Sequence, residues 1–92
     1  MKRSEILDTA KEYVTKDRAS QHGDAENNLT AISDGWNWWM GIRNGGEPAR
    51  FSAMDVAVMM AILKVGRVAS NSKNADNFID ACGYMALAGE VA

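Results

Sequence analysis

Apolar residues recur along most of this chain at spacings of three and four, the period of an α-helix, and no stretch alternates as a half-buried strand would. Ile6, Leu7, Ala10, Tyr13 and Val14 fall on one stripe, with Lys2, Glu5, Asp8, Lys11 and Glu12 mostly off it. Ser4 can cap that segment, which predicts an amphipathic helix running to between Lys16 and Ser20. Gln21-His22-Gly23-Asp24 then breaks the pattern. Gly23 admits a positive φ and Asp24 is a good N-cap for the segment that follows.

A second helix is predicted from about Ala25 to Arg43, with Leu29, Ile32, Trp36, Trp39 and Met40 as its buried face. Trp38 points about 160° away from Trp36, beside Ala31 and Ile42. It either covers an edge of the fold or belongs to a self-association surface, since large aromatics concentrate at interface cores. Gly45-Gly46 and then Pro48 end the helix.

The third predicted helix, 52–70, has no polar face. Val56, Met60 and Leu63 lie on one side, Val58, Ile62 and Val65 on another, and Met59 and Ala61 fill between. Such a helix must be covered all round, by other helices or by lipid. Its unbroken apolar run, Val56 to Leu63, is far short of the roughly 20 residues a bilayer crossing needs. It is therefore expected at the centre of a helical protein. Ser52-x-x-Asp55 has the form of a capping box, with Phe51 placed to staple onto Val56 and Asp55 set against the positive end of the helix dipole. After the polar turn 71–74, a fourth helix is predicted over Ala75 to Val91, with Phe78, Cys82, Met85 and Gly89 on one line flanked by Ile79 and Ala86. Asp76, Asp80 and Tyr84 follow one another at four-residue steps on its other side. Gly83 costs a helix about 1 kcal/mol against alanine, which suggests that its backbone approaches a neighbour closely. The fold class is all-α: a single domain over 1–92, built as a compact bundle of about four helices around the apolar one.

Composition adds a partner to this picture. A chain of 92 residues buries only about 60–65% of its unfolded surface. Yet 47% of these residues are hydrophobic, with three Trp and six Met among them. A second copy, giving a dimer or higher homo-oligomer, or another protein is expected to complete the core. The net charge of -2 and the lack of any basic cluster exclude a general nucleic-acid binder and attachment to an anionic membrane. Cys82 is the sole cysteine, which fits a reducing compartment. The opening MKRSEILDTAKEYV carries acids early and no apolar run, so it does not read as a signal peptide and a cytoplasmic location is expected.

The candidate chemistry is concentrated in four charges. Lys64 and Arg67 stand late in the third helix, Asp76 and Asp80 early in the fourth, and the short turn between them brings the two pairs together. Lys64 shares its angle with Ala57, Met60 and Ala61, so its charge needs a partner. Two readings are open: salt bridges that pin two helices, or a polar pocket in which the aspartates hold Mg2+ and the cations meet phosphate oxygens. His22, near Asp24 and Glu26, is either a loop hydrogen-bonder or a metal ligand, and a lone histidine lacks the cluster that zinc requires. Cys82 reads as a small core residue. No glycine-rich phosphate loop and no nucleophile elbow is present.

Three stretches, HGDAENN (22–28), DVAVMMAILKVGR (55–67) and DNFIDACGYMALAGE (76–90), together with the opening ILDTAKEYVTKDR, resemble a family of small bacteriophage and prophage proteins. The matching positions are Gly23, Asp24, Asn28, Asp55, Lys64, Arg67, Asp76, Asp80, Gly83 and Tyr84. His22 and Ala25 stand where that family has tyrosine and proline. More loosely, the pattern is similar to MazG-like all-α nucleotide pyrophosphohydrolases. This resemblance implies a nucleotide ligand, Mg2+ held by helix-borne acids, an oligomer, and a site in the cytoplasm of a bacterial host. The chain departs from that pattern in lacking a Glu-x-x-Glu pair and in having Asp76/Asp80 where a Glu-x-x-Asp is expected, so binding without turnover stays open beside hydrolysis. On this reading Lys64 and Arg67 bind phosphate, Asp76 and Asp80 bind the metal, and His22, Asp24, Asn28 and Tyr84 form the rim, with Tyr84 against base or sugar. The alternative expectation is a non-catalytic module that engages a host or phage protein through Trp38.

Overall fold

The computed structural model describes residues 1–17, 25–47 and 50–92, and these form four α-helices with no strand among them. They are α1 (Arg3–Glu12), which runs on into a π-helical turn (Tyr13–Asp17), α2 (Ala25–Arg43), α3 (Ala53–Ser70) and α4 (Ala75–Val91). The α3–α4 hairpin is the most extensive contact. α1 packs on α4, and α2 packs mainly on α3. The centre is thus shared by two helices, with one further helix on the flank of each. No helix among the described residues is long and apolar enough to cross a membrane.

Helix ends follow local chemistry. Ser52 caps α3, its hydroxyl accepting from the Asp55 N–H at 3.1 Å while the Asp55 carboxylate accepts from the Ser52 N–H at 2.9 Å, so the expected capping box forms. α1 starts two residues earlier than expected. Lys2, not Ser4, holds the N-cap position, and the Glu5 carboxylate accepts from its N–H at 3.3 Å. At the end of α2, Gly46 N–H donates to the Gly41 carbonyl at 2.7 Å and Gly45 N–H to that of Ile42 at 3.2 Å, the pair of bonds that closes a Schellman motif. That motif needs a left-handed residue, and Gly45 supplies it at φ 66°. Pro48 lies outside the described residues.

Leu29, Val56, Ala57, Leu87 and Ala88 form the buried core, and Val14, Trp36, Val58, Met60 and Tyr84 pack around it. Three sequence expectations about helix faces are corrected here. α3 is not covered all round. Val56, Ala57 and Ala61 are buried, whereas Ile62 is 62% and Val65 60% exposed. Two neighbouring helices enclose only part of a helix's circumference, so the outer side of α3 stays open among the described residues. On α2, Leu29 is buried, but Ile32 and Trp39 are exposed and Ser33 takes the inward place, its hydroxyl donating to the Thr30 carbonyl at 2.8 Å. On α4, Phe78 and Met85 from the supposed core line are exposed, while Asn77, Ile79, Gly83, Leu87 and Ala88 are buried. The inward face combines the apolar Ile79 and Leu87 with Gly83, where a Cβ would stand 3.0 Å from the Val14 side chain.

Among the described residues, the Asn37 side chain ties α2 to the start of α3. Asn37 donates to the Phe51 carbonyl at 3.0 Å and accepts from the Phe51 N–H at 2.8 Å, and Phe51 meets Trp36 edge to face with ring centroids 6.1 Å apart. Asn37→Ala should cost about 1–2 kcal/mol in urea unfolding, because both backbone groups of a half-buried residue lose their partner. A loss near zero would show that water replaces both bonds.

Candidate functional site

The buried side of α3 carries Ala57, Ala61 and then, one turn on, Lys64. Alanine at the first two positions brings α4 close, so the lysine that follows emerges at the α3–α4 seam. Its Nζ lies 3.0 Å from Asp80 Oδ2, with the two side chains only 15% and 26% exposed. The embedded lysine and its expected partner are therefore found together. A pair this far from bulk water is screened less than a surface pair and holds its geometry more firmly.

Arg67 and Asp76 sit one turn from Lys64 and Asp80 respectively and are exposed. Neither takes part in an ion pair among the described residues. Helical spacing places Arg67 on the same side of α3 as Lys64, and Asp76 on the same side of α4 as Asp80. Asp76 also has a local role, since its N–H donates to the Asn74 cap at 3.0 Å and its carboxylate stands in the positive first turn of α4. The expectation of two matched salt bridges is thus met by one closed pair and two open charges.

Tyr84, one turn beyond Asp80, is half-buried against the core and is engaged with a partner. Asn28 is half-buried next to the core residue Leu29 and is likewise engaged. Both are therefore tied into the protein, Tyr84 on the helix that carries Asp80 and Asn28 on α2. His22 and Asp24 lie outside the described residues. Trp38 is 70% exposed, the most exposed of the large apolar side chains. Cys82 is a half-buried free thiol beside Phe78 and Ala81 in an apolar groove of about 470 Å³ between α1, α3 and α4. None of the four charged residues lines that groove.

No group of three or more His, Cys, Asp or Glu able to hold a metal occurs among the described residues. The donor set therefore does not fit an all-protein cage. It does fit the other common arrangement for Mg2+, in which one or two carboxylates bind the ion and phosphate oxygens and waters complete its shell. Sequence reasoning missed the Asn37 clamp. The signal for it was an amide between two tryptophans, at the edge of the helix face that packs.

The fold and its charged seam define a small all-α protein with one ion pair embedded between its central helices. Residues 5–92 match the family described as a domain of unknown function, DUF6378, and the chain belongs to that family. It is similar to the Gene 55 protein of Mycobacterium phage L5, with 38% identity over 79 residues that span 86% of this chain and 47% of that protein. The chain thus covers about half the length of this phage relative. No solved structure matches it.

Proposed function

We propose that this protein binds a phosphate-bearing ligand of the nucleotide class, together with Mg2+, at the seam between α3 and α4. The observation that supports this most is the Lys64–Asp80 pair at 3.0 Å, flanked by an open Arg67 and an open Asp76. A purely structural pin needs only one cation and one anion. Here a further charge of each sign stands one helical turn toward the rim. Phosphate oxygens would take the Lys64 ammonium and the Arg67 guanidinium, whose planar fork suits phosphate. The ion would take Asp80 and Asp76, so each charge leaving the pair finds a new partner. Tyr84 and Asn28 would border the base or sugar, and the proteins of a phage that infects bacteria would place this ligand in the host cytoplasm.

Thermal unfolding with each of the four ribonucleoside triphosphates plus Mg2+ tests this reading. A ligand at 100 times its Kd adds about 2.7 kcal/mol. For a domain of this size that corresponds to a rise in Tm of roughly 10–20 °C. Asp80→Asn should abolish the rise while leaving the helical signal intact. Absence of any rise with all four triphosphates would contradict the proposal. Phosphate release in the same mixtures would extend it from binding to hydrolysis.

The 70% exposure of Trp38 favours a second reading, in which the protein acts through contact with another chain. The two readings are compatible, since Trp38 lies on the outer face of α2, away from the α3–α4 seam.

A further inference from the structure

α2 has two apolar faces. Leu29, Ser33, Trp36 and Met40 fall within about 60° of one another and dock on the rest of the protein. On the opposite side Ala31, Gly35, Trp38 and Ile42 fall within another 60° or so, and all four are exposed. Trp39 and Ile32 widen this outer face, at 53% and 39% exposure, and Ile42 is 54% exposed. Beyond Trp39 the surface continues into a hollow of about 250 Å³ lined by Trp36, Trp39, Met40, Phe51 and Met59, so it reaches the exposed side of α3.

From these observations we infer that the outer face of α2 is a homodimer interface, in which two copies of α2 pack antiparallel about a twofold axis. The extent of the surface is the first argument. With burial of a tryptophan removing on the order of 150–250 Å², Trp38 and Trp39 alone leave some 200–300 Å² open. Ile32, Ile42, Ala31 and the exposed methionines Met54 and Met59 extend this toward the roughly 800 Å² that each partner contributes to a standard interface. Such a continuous apolar surface is larger than isolated exposed side chains produce.

The shape of the seam selects a second copy as the occupant. The spacing 31–35–38–42 is four, three, four, as in a coiled-coil seam. Its N-terminal half is small (Ala31, Gly35) and its C-terminal half is large (Trp38, Ile42). Antiparallel apposition lays Trp38 of each copy over Gly35 of the other, and Ile42 over Ala31, so the surface is complementary to itself and closes under twofold symmetry. Gly35 supports this independently of the aromatic residues. A Cβ at Gly35 would meet nothing within 4 Å among the described residues, so none of them requires glycine there. Glycine inside a helix is unfavourable relative to alanine, and a closely approaching neighbour from outside accounts for it. Asp34 and Arg43 flank the seam without interrupting it, and a net charge of -2 sets little repulsion between copies.

Sedimentation equilibrium of the full chain decides the matter. The expected mass at micromolar concentration is twice the 10.0 kDa of the chain. Trp38→Glu should raise the dissociation constant at least about tenfold, as for a central interface tryptophan. Gly35→Leu should do the same through bulk, although leucine favours the helix of the isolated chain. A monomer at 100 µM overturns the inference and leaves the face to a different protein. A dimer that neither variant weakens places the contact elsewhere, and one that Gly35→Leu strengthens excludes the close antiparallel approach. Because Gly35→Leu does not remove any contact within the chain, it stays decisive even if Trp38→Glu fails to fold.

Discussion

Lys64→Met and Asp80→Leu should each destabilise the fold by about 2 kcal/mol, and the double variant should recover most of the loss. Removing one partner of a fully buried pair costs about 3–5 kcal/mol, because the other charge is stranded. At 15% and 26% exposure the survivor here recovers some water, which lowers the cost. Replacing both leaves two apolar side chains of similar reach between α3 and α4, and such exchanges are often neutral or stabilising. Urea unfolding of the four proteins measures the coupling directly. Losses that simply add would show that the two charges do not depend on each other. The double variant also separates structure from function. It should fold, yet show no rise in Tm with nucleoside triphosphate and Mg2+, because both the ammonium and the carboxylate are gone.

Gly83→Val should cost about 2–3 kcal/mol and lower Tm by roughly 10–20 °C. A Cβ at Gly83 would stand 3.0 Å from Val14 Cγ1, tighter than ordinary van der Waals contact. Val14 is half-buried in the π-helical turn after α1 and packs against the core, and its β-branched side chain has few rotamers in which to retreat. Valine adds two further methyl groups in a buried position, more than its better helix propensity can offset. Gly83→Ala pits one methyl against about 1 kcal/mol of propensity, so its effect should be small. A Gly83→Val protein as stable as the parent would mean that α1 and its π turn do not rest on α4.

The helices themselves were legible because their punctuation is local. Ser52 and Asp55 cap each other across three residues, Gly45 and Gly46 close α2, and Gly83 marks a close approach, each visible without tertiary information. The pairing of Lys64 with Asp80 was legible for a related reason. A charge among Ala57, Met60 and Ala61 must be compensated, and the short turn 71–74 limits which acids can reach it. What the sequence could not fix was which faces turn inward. α3 has no polar face and α4 has apolar residues on more than one side, so hydrophobic contrast gives little direction. α4 turns Ile79, Gly83, Leu87 and Ala88 inward, with Gly83 against the Val14 side chain, and leaves Phe78 and Met85 exposed. Surplus apolar residues were read as buried in a central helix, whereas Ile62 and Val65 lie open in the single chain. The Asn37 clamp spans fourteen residues and depends on where α3 begins, which no local rule encodes.

Binding at the charged seam is tested most directly by paramagnetic broadening. Mn2+, which takes the same oxygen ligands as Mg2+, is titrated with ATP into the ¹⁵N-labelled protein. The expected result is selective loss of amide signals from Lys64 to Arg67 and from Asp76 to Tyr84, with the Trp38 indole unaffected and the losses absent in Asp80→Asn. Broadening centred on the exposed acids of α1, Glu5 and Asp8, or equal broadening in Asp80→Asn, would contradict it.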